Sequence, residues 1–288
     1  MPSAFYFLGF VFVSLASNTF ADSPGIPAHR EPHKDYRELA KRWLHSGPDS
    51  RTRTSRALGS SAYDNAVPYG ELTISKIANW QSALSPIEVF AWIRDHRGVR
   101  HSGEMRRLSW LYPDDGCFAR AELASQELES RFFLKPSKLF IFGNLKVKTP
   151  NSPSGEISWW YHVVPAFRSK NRIFVFDPAI QPQRPLLLEE WIKSMDQTLS
   201  DDFTLSICHP HTYTPDSDCG DPEVDDRALA DQATYLNAEE SQLSALGLNP
   251  ERALKDLPPW RSKDEKKFIC SLDPTCQLSR VDSEKQKN

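Results

Sequence analysis

Residues 157–180, "ISWWYHVVPAFRSKNRIFVFDPAI", contain two strand-like runs separated by the polar residues "RSKN". This pattern predicts an antiparallel hairpin. On the first strand, His162 shares a face with Trp160. If the chain turns at Ser169–Lys170, the register places Asp177 opposite His162. The hairpin therefore brings a carboxylate within reach of the second N–H group of the imidazole.

The segments around this hairpin add helices and further strands. Ser85, Pro86 and Glu88 form the capping pattern with which a helix begins. Gly143 indicates a bulge within an alternating apolar run. Strand patterns occupy 71–77, 106–112 and 138–148, and helical patterns occupy 85–96, 118–133, 186–195 and 227–247. The sequence thus predicts an α+β fold with an antiparallel sheet.

Residues 112–125, "YPDDGCFARAELAS", place Cys117 between an acidic, glycine-containing turn and a helix. The free N–H groups and the positive dipole end of that helix favour a thiolate at this position. Asp114 and Asp115 oppose the thiolate, so we interpret them as turn formers or rim charges. A helix-borne cysteine, a strand-borne histidine and a carboxylate match the nucleophile–base–orienter arrangement of covalent catalysis. We predict that Cys117, His162 and Asp177 are catalytic.

Three aromatic residues are candidates for substrate or oxyanion contacts. The indole N–H of Trp110 is a possible second oxyanion donor beside the backbone N–H of Cys117, and a core tryptophan is the alternative. Trp160 and Tyr161 are expected to line the substrate groove, although at least one residue of 159–161 must belong to the core.

The N-terminal residues are typical of an exported protein. Residues 5–16 form an apolar run too short to span a bilayer, with a cleavage site after Ala21. A buried N-terminal helix is the alternative. Residues 22–70 then predict a propeptide or, as the other possibility, a flexible extension. No later run is long and apolar enough to cross a membrane, and a net charge of −3 argues against nucleic-acid binding.

Disulfides are expected in an exported chain. Pairing Cys208 with Cys219 and Cys270 with Cys276 leaves Cys117 unpaired, although the sequence permits other pairings. The alternative for one pair is a zinc site formed by Cys208, His209, His211 and Cys219. Adjacent cysteine and histidine are poorly spaced for this, so we predict the disulfide, no metal and no cofactor.

Four ordered blocks of the chain resemble the bacterial protein-glutaminases, which deamidate glutamine side chains in intact proteins. The blocks are "YPDDGCFARA", "FIFGNLK", "WWYHV" and the "DP" that follows an apolar strand, within residues 105–182. The resemblance implies a papain/transglutaminase-like core and a catalytic triad of Cys117, His162 and Asp177. It also implies export with a propeptide that blocks the active site. In one departure, Glu122 stands where the family has a histidine, which affects either substrate preference or only a surface contact.

The chain therefore divides into a signal peptide (1–21), a propeptide or linker (22–70), a catalytic domain (71–200) and a C-terminal extension (201–288). We expect a secreted or periplasmic monomer that acts on proteins or peptides with exposed glutamine. A transglutaminase, a cysteine peptidase and a secreted binding protein without catalysis are the alternatives.

Overall fold

A computed structural model describes residues 61–101, 103–111, 116–152, 155–196, 203–222, 224–233, 236 and 247–254. The predicted signal peptide, residues 22–60 of the predicted propeptide, Cys270, Cys276 and the charged tail lie outside these residues. Among the described residues, no helix has both the length and the apolar character needed to cross a membrane.

The described part of the chain is an antiparallel sheet with helices on both faces, which confirms the α+β class. The strands are β1 (Val67–Pro68), β2 (Val99–His101), β3 (Glu104–Arg106), β4 (Ser137–Lys148), β5 (Glu156–Ser169), β6 (Arg172–Val175), β7 (Leu186–Leu187) and β8 (Thr204–Cys208). The helices are α1 (Pro86–Asp95), α2 (Cys117–Phe132), α3 (Leu188–Ser194) and α4 (Pro250–Ala253), and residues 228–233 are also helical. The main sheet has the order β1-β8-β4-β5-β6-β7, and β2 pairs only with β3.

The predicted hairpin is present as β5 and β6, with a register that differs from the predicted one. Ser169 pairs with Arg172, so the turn lies at Lys170–Asn171, one residue later than the sequence suggested. Lys170 adopts a left-handed backbone with φ 55°, as a tight hairpin turn requires. Asp177 lies two residues beyond the end of β6 instead of within a strand.

The two faces of the sheet bury separate apolar clusters, and each cluster holds one helix. On one face, Trp191 and Ile192 of α3 pack with Ile141 of β4. On the other face, Phe118 of α2 packs with Phe140 of β4. Full burial of side chains of this size stabilises the fold by about 1.5–3 kcal/mol each. The sheet therefore fixes α2, which begins at Cys117, beside the strand that carries His162.

Helix α1 begins as predicted. The Glu88 backbone N–H donates to Ser85 Oγ (3.3 Å), and the Ser85 N–H donates to Glu88 Oε2 (2.7 Å), which completes the capping box. The predicted bulge in β4 is also present, because the pairing with β5 shifts between Phe142 and Leu145, on either side of Gly143.

Two predicted strands are wrong. Residues 71–77 form 3₁₀ turns, Tyr69–Glu71 and Ile74–Lys76, with Ile74 exposed. The apolar residues that alternate in this segment therefore do not form one buried face of a strand. After β3, residues 107–111 form no strand, because Ser109, Trp110 and Leu111 are buried one after another, and a strand with one buried face would alternate.

The main sheet takes strands from both sides of residues 70 and 200, the predicted limits of the catalytic domain. Val67 in β1 pairs with Leu205 in β8, and β8 lies between β1 and β4. Ala62 is fully buried, and its backbone N–H donates to Ser217 O (3.0 Å). The domain limits remain predictions, but the folded unit includes residues on both sides of them.

Candidate active site

His162 and Asp177 form a buried pair at the end of the β5–β6 hairpin. His162 Nε2 lies 2.9 Å from Asp177 Oδ2, and each side chain is 1% exposed. The carboxylate is also held by the Trp191 indole N–H, which donates to Oδ2 (2.8 Å), and by the Ala179 backbone N–H, which donates to Oδ1 (3.2 Å). These donors fix the carboxylate and, through it, the orientation of the imidazole.

The electrostatics of the pair favour an imidazolium. Burial alone would lower the pKa of His162, but the Asp177 carboxylate and then the Cys117 thiol raise it to about 9. Burial raises the pKa of Asp177, yet His162 and then Trp191 outweigh burial and hold that pKa below its ordinary value. At neutral pH the prevailing state is therefore a charged imidazole beside an ionised carboxylate.

The other ring nitrogen of His162 is not bound to Asp177, and Cys117 lies close to this histidine. His162 Nδ1 makes no hydrogen bond of normal geometry in the described residues. The Cys117 thiol is close enough to raise the pKa of His162 through a hydrogen-bonding and a coulombic interaction. Cys117 is half-buried and is not part of a disulfide. The structure thus brings the three predicted catalytic residues together in the predicted order.

The position of Cys117 follows from the start of α2. Gly116 is the N-cap residue and adopts a left-handed backbone with φ 79°, which is strained for residues that carry a Cβ. Cys117 is then the first helical residue, so its backbone N–H lies outside the intrahelical hydrogen-bond ladder. Such an N–H group is suited to bind a developing oxyanion.

The predicted groove residues lie on the side of the sheet that carries α2. Trp160 and Tyr161 are half-buried, with ring centroids 4.5 Å apart, and pack against the same apolar cluster as Cys117. Tyr63 joins them by an edge contact with Phe142 (5.2 Å). The core residue of the trio is Trp159, whose indole stacks on the His162 ring with centroids 4.5 Å apart.

Trp110 is a core residue in a different cluster. It packs with Ala124 and Leu128 on the side of α2 that faces α1. Its indole Nε1 is buried and has no hydrogen-bond partner in the described structure. This packing agrees with the alternative that Trp110 is a core tryptophan. The unpaired buried N–H is, however, a property expected of an oxyanion donor.

Glu122 does not make the surface contact that the sequence allowed. Its side chain is fully buried and forms an ion pair with the equally buried Lys138. Its Oε1 also accepts from His211 Nδ1 (2.8 Å) and from Gln126 Nε2 (3.1 Å). Glu122 is therefore the centre of a polar cluster that links α2 to β4 and to the segment after β8.

The Cys208–Cys219 disulfide is formed, as predicted. It uses both sulfur atoms that the zinc alternative required, and His211 binds carboxylates instead. No group of three or more His, Cys, Asp or Glu side chains among the described residues is arranged to hold a metal ion.

The sequence interpretation missed three residues near the site: Trp191, Lys138 and His211. Trp191 lies in a helix pattern with nothing to indicate its contact with Asp177. Lys138 is the first residue of an alternating run, where a lysine is ordinarily exposed. His211 was considered only as a zinc ligand. The one signal in the sequence was the place of Lys138 in the alternating run, which puts it on a buried face, where a lysine needs an acidic partner.

Residues 87–195, which include Cys117, His162 and Asp177, match the model of a family described as glutaminase. The NMR structure of protein-glutaminase from Chryseobacterium proteolyticum is similar over 53% of this chain and 85% of that chain, with 19% identity and a TM-score of 0.39. A crystal structure of pro-protein-glutaminase is similar over 57% of this chain and 63% of that chain, with 18% identity and a TM-score of 0.40. No curated protein matches the sequence. The family-model match thus shows that residues 87–195, less than half of the chain, are similar to the glutaminases.

Proposed function

We propose that this protein is a cysteine-dependent amidohydrolase that converts glutamine side chains of proteins or peptides to glutamate and releases ammonia. One observation carries the proposal. Within the segment that matches the glutaminase family, the buried His162 imidazole binds the Asp177 carboxylate through Nε2, and the Cys117 thiol lies close enough to raise the pKa of the same imidazole.

The first half of the reaction forms a thioester. The Cys117 thiolate attacks the Cδ carbonyl carbon of the glutamine side chain. The tetrahedral oxyanion that forms accepts a hydrogen bond from the backbone N–H of Cys117. His162, as the imidazolium, transfers its Nδ1 proton to the departing nitrogen as the C–N bond breaks. Ammonia leaves, and the glutamyl group remains bound to Sγ. Because Asp177 raises the pKa of His162, the proton donor is present at neutral pH.

The second half hydrolyses the thioester. His162 is now neutral and takes a proton from water at Nδ1 as the water oxygen attacks the same carbonyl carbon. The C–S bond breaks, glutamate is released, and the thiolate–imidazolium pair is restored. Asp177 accepts the Nε2 hydrogen bond throughout, so the imidazole keeps Nδ1 towards the cysteine.

The candidate for the second oxyanion donor is Trp110, although it packs in the core cluster of Ala124 and Leu128. Its indole N–H is buried without a partner, and an unsatisfied buried donor costs about 1–3 kcal/mol. A substrate oxygen that forms in the transition state would satisfy it.

The half-buried aromatic wall of Trp160, Tyr161 and Tyr63 suits a glutamine side chain. The methylene groups of glutamine pack against aromatic rings, while the terminal amide reaches the cysteine. All three side chains pack on the apolar cluster that Cys117 also contacts. Because these rings are only partly buried, they can contact a side chain that remains attached to a folded protein.

Product analysis distinguishes this function from the transglutaminase and peptidase alternatives, which use the same thiol. The protein is incubated with casein, and ammonia, crosslinked species and new fragments are measured. We expect ammonia with neither crosslinks nor fragments. Crosslinked casein would instead support acyl transfer to lysine, and new fragments would support peptide-bond cleavage. Wild-type protein that releases no ammonia would contradict the proposal.

Alkylation of Cys117 tests the alternative of a secreted binding protein without catalysis. A thiolate paired with His162 should react with iodoacetamide at about pH 6, where an ordinary thiol is largely protonated. Denatured protein serves as the control, because its cysteine has lost the histidine. Equal rates for the native and the denatured protein would support a binding protein.

Export of the protein is part of the same proposal. The Cys208–Cys219 disulfide supports an oxidising compartment. We expect N-terminal sequencing of the secreted form to begin after Ala21 or at a later processing site. Recovery of the protein only in the cytoplasm, with its thiols reduced, would contradict export.

A further inference from the structure

A buried polar cluster on α2 has no part in the mechanism above. It consists of Glu122 and Glu129 of α2, Lys138 of β4, and His211 of the segment after β8. Glu122 and Lys138 are both 0% exposed. Burying charged side chains is costly unless each is paired. General stability therefore does not explain why these charged side chains are buried here.

Both ring nitrogens of His211 lie near carboxylates of the same helix, and the one near Glu122 makes a hydrogen bond. His211 Nδ1 lies 2.8 Å from Glu122 Oε1, and Nε2 lies 3.1 Å from Glu129 Oε1. The second oxygen of Glu122 binds Lys138 Nζ. Burial lowers the pKa of Lys138 to about 8 against the opposing effect of Glu122, so at neutral pH this side chain is still mainly an ammonium. The carboxylate of Glu122 thus has two partners, Lys138 from β4 and His211 from the segment after β8.

The cluster lies close to the catalytic residues along both elements that carry them. Glu122 is five residues after Cys117 on α2, which is a rise of about 7.5 Å. Lys138 pairs with Pro165 of β5, the strand that carries His162. Apolar packing of a helix on a sheet is non-directional, whereas hydrogen bonds to a carboxylate require a narrow geometry. The polar contacts therefore fix the helix at one position along the strands.

His211 is itself held firmly, although it lies outside residues 87–195. The Cys208–Cys219 disulfide closes the segment that contains it. Within this segment the His209 backbone N–H donates to Cys219 O (2.8 Å), and Thr212 Oγ1 donates to Asp218 O (2.8 Å). A short crosslinked segment of this kind is a rigid support for a side chain that must hold a helix.

We infer that His211 is a positioning residue for the proposed deamidation: through Nδ1 it holds Glu122 and thereby sets the position of Cys117 relative to His162. The inference rests on the proposed function for its kinetic readout only. A misplacement of about 1 Å in a reacting group costs up to about 10²-fold in rate. His211 touches no reacting atom and acts through α2.

Two substitutions of His211 separate its two contacts. In His211→Asn the amide nitrogen takes the position of Nδ1, so the bond to Glu122 is kept and the bond to Glu129 is lost. In His211→Gln the amide nitrogen takes the position of Nε2, so the bond to Glu129 is kept and the bond to Glu122 is lost. We expect His211→Asn to stay within about threefold of wild-type kcat. We expect His211→Gln to lower kcat by about 10- to 100-fold with KM nearly unchanged.

Two further readouts separate positioning from loss of structure. Melting temperatures of the two variants should lie close together, because each loses one contact. The rate of Cys117 alkylation at about pH 6 should fall in His211→Gln and not in His211→Asn, since it reports the approach of the thiol to the imidazole. Equal kcat in the two variants, whether high or low, would overturn the inference.

The outcomes also separate this inference from the proposed function. If wild-type protein releases no ammonia, the proposed function fails, and the alkylation rates still decide whether His211 positions Cys117. If His211→Gln melts far below wild type, the double variant Glu122→Leu, Lys138→Met replaces it in the comparison, because it removes the acceptor of the Nδ1 hydrogen bond without leaving a buried lysine unpaired. Unchanged alkylation of Cys117 in this double variant would overturn the inference.

Discussion

His162 and His211 are both buried histidines beside α2, and each binds a carboxylate within 2.9 Å. They differ at the second ring nitrogen. His211 Nε2 lies at ion-pair distance (3.1 Å) from another carboxylate, that of Glu129. His162 Nδ1 makes no hydrogen bond in the described structure, and the Cys117 thiol lies close enough to raise the pKa of this histidine.

This difference distinguishes a group that can transfer a proton from one that holds structure in place. A histidine whose two nitrogens both lie against carboxylates has no nitrogen left to meet a nucleophile. A histidine with one nitrogen bound and the other directed at a nucleophile can exchange a proton there without losing its orientation. The predictions below act on one cluster or the other.

The largest effect is expected from Asp177→Asn. The substitution removes the carboxylate that raises the pKa of His162 to about 9, so that pKa should fall and the basic limb of the pH–rate profile should move to lower pH. Loss of the oriented acid–base pair should lower kcat by about 10²–10⁴-fold. Ammonia release measured across pH tests both effects.

The same variant makes a prediction for stability. The pKa of His162 is raised in the folded protein from an ordinary value of 6.5, so the imidazolium stabilises the fold fully below about pH 6.5 and loses this effect as pH rises through about 9. Asp177→Asn should therefore be less stable than wild type near neutral pH, with a difference that shrinks above pH 9. Asp221→Asn, at a side chain that is 98% exposed, is the matched control. A basic limb that stays in place in Asp177→Asn would contradict the assigned role.

The second prediction concerns the cluster around Glu122. Lys138→Met leaves a buried carboxylate without its ammonium partner and should lower the free energy of unfolding by about 3–5 kcal/mol. The double variant Lys138→Met, Glu122→Gln removes both charges and should recover most of that loss. Urea denaturation of wild type, the two single variants and the double variant measures the coupling. Additive losses in the double variant would show that Lys138 and Glu122 do not interact in this way.

The smallest effect is expected from Trp191→Phe. The variant loses the hydrogen bond to Asp177 Oδ2, a contact of about 1.5–3 kcal/mol for a charged acceptor. Because that bond lowers the pKa of Asp177, the acidic limb of the pH–rate profile should move towards neutral pH, and kcat should fall only several-fold. An acidic limb that moves in the opposite direction would exclude this contact as a support of the pair.

Features of the fold that depend on local chemistry could be predicted from the sequence. The capping box of α1 involves residues three apart, and the start of α2 follows from the glycine that precedes Cys117. The hairpin was predicted from two apolar runs, and its register was wrong because the left-handed Lys170 moves the turn by one residue. Asp177 still reaches His162 because its side chain lies just beyond the end of β6.

Long-range polar contacts could not be predicted in this way. Glu122 and His211 are 89 residues apart, and Glu122 and Lys138 are 16 apart. Their pairing depends on how the segment after β8 folds back onto α2, and no local pattern contains this information. The strand predicted at 71–77 was wrong for a related reason. An alternating run forms a strand only where the edge of a sheet is available to pair with it.

The most direct test of the central proposal is detection of the acyl-enzyme. The protein is mixed with a glutamine-containing peptide, quenched in acid and examined by intact mass and peptide mapping, with Cys117→Ala in parallel. We predict a glutamyl adduct on the Cys117 peptide of wild type, accompanied by ammonia, and neither adduct nor ammonia from Cys117→Ala. Ammonia release from Cys117→Ala at the wild-type rate would contradict the proposal.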